Sequence, residues 1–328
     1  MFTDTHYGVK SNSMSWFRSQ MDFVRKQLIP HIKSIDDEVV LIHLGDVFDS
    51  RSTVNTYIAQ EVKELFKELA SLVRDFYVLS GNHDHYSPTD ESYSTNELIL
   101  GSIRNENFHI VGAATPFELP CVPPCATKSE AIMLPWFAQA KESPDEFTKR
   151  YKGQVIFTHA DIIMGNPKLH TPVFSGHVHT PYINGKVRNL GSCYPLDFHD
   201  ANSQRYFYVW DPEDDSLVRH ANTHSIQFHR IYNEDVLTHD WNSTGTNDYI
   251  EVYIKYSLLQ DDEYQAFCKK LTMDFRHCRI IPVADELAES TGEINCDIEG
   301  IIDHSIPDDL RDIFEEVKQE VKNRNEHS

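Results

Sequence analysis

The sequence predicts an α/β fold with a layered sheet core. Over the first two-thirds of the 328-residue chain, short segments rich in β-branched and aromatic residues alternate with segments of helical periodicity. The hydrophobic content is 40%, as in ordinary globular proteins. The length is sufficient for one large domain and a smaller one.

Five short segments have the composition of buried β-strands. Before these five segments, Phe2 and Thr3 resemble the end of a first strand. The five segments are Val39–Leu44, Phe76–Leu79, Ala131–Leu134, Val155–Phe157 and Tyr206–Trp210.

Three helices are predicted between these strands. The first covers about Ser15–Ser34, and Pro30 should kink or end it. The second covers Asn55–Leu72, because its apolar residues recur at helical spacing on one face. The third begins at the capping box Ser143–Glu146, which has a proline at the first helical position.

A second, smaller α/β unit is predicted at about residues 232–300. It consists of a strand at Tyr249–Lys255, a helix at Asp261–Phe275 and a strand at Arg279–Ala284. The capping signal Ser305–Asp308 and the apolar residues that follow it predict a C-terminal amphipathic helix. This helix either packs on its own domain or binds a partner.

Composition limits the function classes. The net charge of −21 argues against a protein that binds nucleic acid by general basicity. The six cysteines show no disulfide-framework spacing, so free thiols in a reducing compartment are expected. No apolar run approaches the roughly 18–20 residues that span a bilayer. The chain starts directly in a motif, which leaves no room for a signal peptide, so a cytoplasmic protein is expected.

Five patches predict one dinuclear metal site, because each follows a short apolar run that suits the carboxyl end of a strand. Their side chains are carboxylates, imidazoles and an amide, without thiolates. This mixture favours manganese, iron or zinc in a hydrolytic site over a closed structural zinc site. The patches are Asp4–His6, Gly45–Asp49, Gly81–Asp84, Thr158–His159 and Gly176–His179.

The residue types suggest individual roles. Asp46 is the candidate for the ligand that bridges both metals, since a carboxylate has two oxygens. Asp4 and His6 are two residues apart and should point the same way, as should His177 and His179. The last two bind either one metal each or face the cleft together.

Four further residues are candidates for the site. Asn82 offers a carbonyl oxygen and His159 a ring nitrogen. His83 is placed to act as general acid, and Asp84 could hold its ring in the right tautomer. Taken singly, each patch has a simpler explanation as a turn or a packed residue; His43 and His199 are interpreted in that way.

The motif series resembles that of the calcineurin-like metallophosphoesterases. Further motifs are similar to those of the SbcD family of DNA double-strand-break nucleases, and Ser94–Leu98 is similar to phage recombination endonuclease subunits of that family. These further motifs are Gly45–Asp49, Leu134–Trp136, Asn189–Ser192 and Pro195–Phe198.

The resemblance implies an architecture of three parts. Residues 1–231 would form a nuclease domain, a β-sandwich flanked by helices. Residues 232–300 would form a small DNA-binding cap, and residues 301–328 a C-terminal helix that could dock an ATPase.

The resemblance also implies the site. Asp4, His6, Asp46 and His179 would hold the first metal, and Asp46, Asn82, His159 and His177 the second. The catalytic histidine would be His83; Asp84, counted with it as catalytic, is the residue expected from its position to hold the His83 ring. The two metals would be Mn²⁺, with Mg²⁺ as the other candidate. Asp49 stands where archaeal and eukaryotic relatives have histidine, so it should shape the loop.

The implied function is exonuclease action on duplex DNA ends and endonuclease action on single strands and hairpins. The implied partners are DNA, a coiled-coil ABC-type ATPase of the SbcC class and a second copy of the chain. No membrane association is expected, and the location would be the host cytoplasm for a phage protein. Two alternatives stay open: a phosphoesterase for a small phosphodiester or a phosphoprotein, and a non-catalytic metal-stabilised scaffold, against which the intact His83 argues.

Overall fold

A computed structural model describes residues 1–87, 90–119, 130–139, 146, 149–160, 171–233 and 235–285. The α/β prediction is confirmed. The strands are β1 Val40–His43, β2 Asp75–Leu79, β3 His85–Ser87, β4 Asp90–Ser94, β5 Phe108–Val111, β6 Thr115–Glu118, β7 Glu130–Leu134, β8 Val155–Thr158, β9 Val173–Ser175, β10 Tyr182–Asn184, β11 Val187–Asn189, β12 Tyr206–Asp211, β13 Ser216–Ala221, β14 Phe228–Tyr232, β15 Tyr249–Lys255 and β16 His277–Val283.

The helices lie mostly between strands. The segment Val9–Asn12 is a turn with left-handed backbone at Lys10 and Ser11. Single 3₁₀ turns occur at Phe198–Asp200 and Leu258–Gln260. The described α-helices are α1 Met14–Phe23, α2 Ile29–Lys33, α3 Thr56–Ala70, α4 Thr95–Leu100, α5 Trp136–Gln139, α6 Asp235–Thr238 and α7 Asp262–Asp274.

Two sheets pack face to face and form the centre. The first is parallel, with the order β1-β2-β5, and Phe2 extends it by a parallel bridge to His43. The second has the order β10-β11-β9-β8-β7-β6 and is parallel except at its two edges. Alternate residues of each strand meet in the core between the sheets, which is the sandwich that the family resemblance implies. Among these residues are Ile42, Leu79 and Val111 from the first sheet and Met133, Phe157 and Phe174 from the second.

Helices cover the outer face of the first sheet. The α3 residues Ile58, Val62 and Leu65 are fully buried there, as the helical spacing predicts. The Asn55 side chain caps this helix by accepting the backbone N–H groups of Tyr57 and Ile58. Burial of its apolar stripe, more than helix propensity, stabilises such a helix.

The prediction for Pro30 is only partly confirmed. The chain stays helical from Met14 to Lys33, but a π-helical turn at Val24–Leu28 separates α1 from α2. Proline lacks the N–H that, in an α-helix, would donate to the carbonyl oxygen four residues earlier. The wider π-helical turn before Pro30 accommodates this loss. Pro30 itself occupies the first turn of α2.

The strands β14, β15 and β16 form a separate parallel sheet on which α7 packs. The predicted strand, helix and strand of this unit are confirmed within one or two residues at most ends. The sheet starts at Phe228, slightly before residue 232, and the division into domains stays a prediction. Residues 143–145 of the predicted capping box and the predicted C-terminal helix at 301–328 lie outside the described residues. No helix within the described ranges is long and apolar enough to cross a membrane.

Candidate metal centre

The loops that carry the five patches meet at the carboxyl ends of the central strands. The backbone N–H of Asp4 donates to the Gly45 carbonyl at 3.0 Å, and that of His6 donates to the Asp46 carbonyl at 3.0 Å. The Gly176 N–H donates to the Thr158 carbonyl at 3.1 Å. Main-chain bonds between the loops therefore fix the positions of the side chains.

Four of the predicted ligands have left-handed backbone. Their φ angles are 53° at Asp4, 41° at His6, 55° at Asp46 and 77° at His177. Residues other than glycine seldom adopt this conformation, and where they do the surrounding structure must hold them in it. Strained backbone of this kind is concentrated at functional sites.

Glycines are required where two of these loops touch. A Cβ atom on Gly81 would lie 2.2 Å from Asp46 Oδ1 and 2.4 Å from the Asp46 backbone nitrogen. A Cβ atom on Gly176 would lie 2.3 Å from Thr3 Oγ1. The close approach of backbones thus explains these glycines.

The first cluster of ligands is formed by Asp4, His6 and His179. Asp4 Oδ1 lies 3.8 Å from Nε2 of His6 and 3.8 Å from Nε2 of His179. Asp4 and His6 are buried, whereas 37% of the His179 side chain is exposed. The cluster therefore opens to solvent on the His179 side.

The second cluster is formed by Asp46, His159 and His177. Asp46 Oδ2 lies 3.3 Å from His159 Nε2. The Asn82 side-chain oxygen lies 3.1 Å from His159 Nε2 and 2.9 Å from His177 Nδ1. The four side chains thus direct oxygen and nitrogen atoms to one point.

Asp46 connects the two clusters. Its Oδ2 atom lies 3.6 Å from His6 Nε2 in the first cluster and 3.3 Å from His159 Nε2 in the second. Asp46 thus lies within reach of ligand atoms of both clusters. This is the position that the sequence predicts for a bridging carboxylate.

The chemistry of the donors fits divalent cations. Asp4 Oδ1 and both ring nitrogens of His6 are buried without a hydrogen-bond partner, which is costly unless a cation binds there. Burial opposes the charge on Asp46, but His159 and His6 hold the pKa of Asp46 well below its usual range. Burial also opposes the charge on His159, but Asp46 raises the pKa of His159 to about 9. The centre thus attracts positive charge.

The sequence profile of calcineurin-like phosphoesterases matches residues 1–181, more than half of the chain. The chain belongs to the calcineurin-like phosphoesterase family. It is also similar to a protein of Enterobacteria phage T4 named exonuclease subunit 1, with 24% identity over 234 residues. That similarity covers 64% of this chain and 63% of the phage protein, so the chain spans less than two-thirds of that relative. Both findings agree with the resemblance in the motifs.

His83 of this phosphoesterase lies beside both clusters. It forms a further group of possible ligands with His6 and Asp46, and its backbone N–H donates to Asp46 Oδ1 at 2.8 Å. Its Nδ1 atom lies 2.6 Å from the Asp49 carbonyl oxygen. Since a carbonyl only accepts, Nδ1 carries the proton, and Nε2 is available for chemistry.

The prediction that Asp84 holds the His83 ring is wrong. The Asp84 carboxylate instead accepts backbone N–H groups of the neighbouring loops, at 2.8–3.2 Å, and is fully buried. Burial raises the pKa of Asp84 to about 6, as does the charge of Asp46. The physical reason for the error is that four N–H donors surround this carboxylate, while the ring faces Asp49. The donors belong to Asp46, Val47, Phe48 and Gly81.

Two contributors to this centre were not predicted from the sequence. Asp49 was expected to shape its loop, and it also orients His83 through its main-chain oxygen, which no side-chain pattern reveals. The Trp136 ring packs 4.7 Å from the ring of His177, centroid to centroid. The Leu134–Trp136 motif was the available signal for it. His43 is buried and bonded to Thr5, as its interpretation as a packed residue predicts.

Proposed function

We propose that this phosphoesterase is a manganese-dependent DNA nuclease, acting as an exonuclease on duplex ends and an endonuclease on single strands and hairpins. The observation that carries the proposal is the sharing of Asp46 between two ligand clusters, with His83 beside both. The name of the phage relative, exonuclease subunit 1, supports a nucleic acid as the substrate class.

Seven side chains would hold two divalent cations, with Mn²⁺ as the proposed metal and Mg²⁺ as the other candidate. When bound, such ions neutralise phosphate charge and lower the pKa of water. The first set is Asp4, His6, Asp46 and His179, and the second is Asp46, Asn82, His159 and His177.

His83 would act as the general acid. Its Nδ1–H group is bonded to the Asp49 carbonyl, so a proton that leaves the ring toward the substrate leaves from Nε2. The His83 backbone is anchored to Asp46, which fixes the ring relative to both ligand clusters. Asp84 would contribute by holding the loop of Asp46 in place.

The proposal extends to the organisation of the chain and its partners. Residues 1–231 would be the nuclease domain, residues 232–300 a DNA-binding cap, and residues 301–328 the docking segment for an SbcC-type ATPase in recombination and break repair. The word "subunit" in the name of the phage relative supports an assembly. The host cytoplasm would be the location.

A homodimer is also proposed, through surfaces near the Gly-Asp and Gly-Asn-His-Asp loops. The apolar stripe of α3 is buried on the sheet and is therefore not available for it. Tyr57 at the start of α3 and Leu98 in α4 are exposed and remain available.

The test is degradation of an end-labelled linear duplex by the purified protein with manganese. Shortening that requires manganese and is lost in both Asp46→Ala and His83→Ala would support the proposal. His224→Ala is the control, because this exposed histidine contacts Gln27 and no metal-site residue. Equal shortening by all variants would refute the assignment of the site.

The alternative functions predict different results. A phosphoesterase for a small phosphodiester or a phosphoprotein would hydrolyse a nucleotide diester and leave the duplex intact, even with an SbcC-type ATPase added. A non-catalytic scaffold would bind two metals and hydrolyse neither substrate.

A further inference from the structure

The sheet formed by β14, β15 and β16 has two faces of opposite character. One face carries Ile231, Ile250 and Val252 and is covered by α7. The other face, which we call the cap-sheet face, carries rows of aromatic and charged residues, because residues two apart on a strand point to the same side. The three rows are Phe228/Tyr249/His277, Arg230/Glu251/Arg279 and Tyr232/Tyr253/Ile281.

The first row is a stack of rings that meets the nuclease part of the chain. The Phe228 and Tyr249 ring centroids are 5.1 Å apart, and those of Tyr249 and His277 are 4.3 Å apart with parallel planes. Trp16 packs 5.7 Å from Phe228 and donates its ring N–H to the Tyr249 hydroxyl at 3.2 Å. This row therefore fixes the cap-sheet face relative to α1.

The second row carries more positive than negative charge. The Glu251 carboxylate is 8% exposed and binds two guanidinium groups, Arg230 at 3.1 Å and Arg279 at 2.5 Å. One buried anion thus holds two cations, which leaves a net charge of about +1 on the row. A guanidinium has five N–H donors, so each arginine keeps donors for a further partner. The Arg279 side chain is 65% exposed and can reach one.

The third row presents rings to solvent. Tyr232 and Tyr253 stack with centroids 5.2 Å apart and planes 24° apart, and Tyr232 is 50% exposed. The Tyr253 hydroxyl donates to Glu251 at 3.1 Å, which ties this row to the charged one. Aromatic rings and an arginine are thus exposed side by side, although the net charge of the chain is −21.

The face is joined to the metal centre by a further cation. Lys10 lies in the left-handed turn that follows His6, and its ammonium group is 5.9 Å from the ring centroids of both Trp16 and Phe228. Positive charge and aromatic rings thus continue from the loop of His6 across the three rows.

We propose that the cap-sheet face binds single-stranded DNA, with bases stacked on Tyr232 and Tyr253 and phosphates paired with Arg279 and Arg230. Aromatic platforms beside cations bind single strands with little sequence preference, because every base has a π-face. Bases in a duplex are stacked on each other and are not available to such a surface. This inference rests on the proposed nuclease function. It places the DNA strand that leads to the metal centre on the cap-sheet face.

The experiment measures binding of a fluorescent oligothymidylate to the full-length protein by anisotropy, with no divalent metal added so that cleavage does not interfere. Tyr232→Ala should weaken binding about fivefold or more, because one stacked base is lost. Arg279→Ala should weaken binding about fivefold or more, because one phosphate contact is lost. Tyr232→Phe keeps the ring and should bind like the wild type. Melting temperatures show whether each variant is folded.

The salt dependence separates the two roles. Loss of one phosphate contact should reduce the slope of log affinity against log salt by about 0.7 in Arg279→Ala. Tyr232→Ala should leave that slope unchanged. Lys270→Ala and Met273→Ala are the controls, because both residues are exposed on α7, which covers the opposite face.

The outcomes distinguish this inference from the proposed function. Variants of the cap-sheet face that bind no more weakly than the α7 controls, or a wild type that prefers duplex, would overturn the inference even if the protein cleaves DNA. Binding could instead depend on Tyr232 and Arg279 in a protein that never cleaves DNA. That outcome would support the binding role of the cap-sheet face and refute the proposed nuclease function.

Discussion

The Asp84 carboxylate accepts the backbone N–H of Asp46 at 2.9 Å, and this bond joins the Gly-Asn-His-Asp turn to the loop of the carboxylate that lies between the two clusters. The same carboxylate accepts the N–H groups of Val47, Phe48 and Gly81. One buried anion therefore holds the left-handed backbone of Asp46 in place. A carboxylate suits this role because it accepts at both oxygens, whereas an amide accepts at only one.

Asp84→Asn should lower the free energy of unfolding by about 2–4 kcal/mol, because an NH₂ group would face backbone N–H groups in a buried site. It should also weaken metal binding, since Asp46 would lose its support. Denaturant unfolding and metal titration measure both effects. Asp37→Asn is the matched control, because this exposed aspartate accepts the N–H of Glu38 and no further hydrogen bond from the part of the chain that the structure describes, so the change should cost far less. Equal losses in the two variants would contradict the role of Asp84.

His83→Ala should reduce phosphodiester hydrolysis by about a hundredfold or more, the usual contribution of one general acid, while both metals still bind. Hydrolysis rates together with the metal content after dialysis test this. Loss of both metals in His83→Ala would show that the residue is a ligand and not the acid.

Asp49→Asn should reduce the rate by less than tenfold, because the carbonyl that orients His83 belongs to the main chain and survives the substitution. The carboxylate of Asp49 lies 3.5 Å from His6 Nδ1, and an asparagine keeps an oxygen at that place. Hydrolysis rates of Asp49→Asn and His83→Ala, measured side by side, test whether Asp49 acts through its main chain or its side chain. A loss in Asp49→Asn as large as that in His83→Ala would mean that the Asp49 side chain takes part directly.

Gly81→Ala should abolish metal binding and destabilise the fold, because its Cβ would overlap Asp46 Oδ1 and the Asp46 backbone nitrogen. Backbone cannot move aside as a flexible side chain does, so the loop of Asp46 must shift. Gly112→Ala is the control, because a Cβ there meets no atom within 4 Å. Metal titration and thermal melting of the two variants check the contrast. Normal metal affinity in Gly81→Ala would show that the loops are less tightly packed than the distances indicate.

The central strands and the site residues could be predicted from the sequence because their signals are local. A strand such as β8 is a short apolar run, and a candidate ligand such as His159 comes directly after it. The short strands β9, β10 and β11 were not predicted, since three residues give no periodicity to detect.

The errors at the site concern groups whose partners are distant in the sequence or belong to the main chain. Asp84 is adjacent to His83, and proximity in sequence suggested a contact that the turn does not make. The rows of the cap-sheet face depend on the register between three strands separated by about 20 residues each, and composition does not reveal that register. Pairings of this kind are set by tertiary packing.

Removal of metal should lower the melting temperature, because Asp4 Oδ1 and both His6 ring nitrogens are buried without a hydrogen-bond partner. A ligand that binds only the folded state at 100 times its dissociation constant adds about 2.7 kcal/mol, which corresponds to a shift of roughly 5 °C for a chain of this size. Thermal melting of the protein in a chelator and again with excess manganese measures the shift. Asp4→Ala removes one of the buried atoms and should respond less to added manganese than Gly112→Ala does. A melting temperature that does not depend on metal would mean that the buried atoms have partners other than a cation.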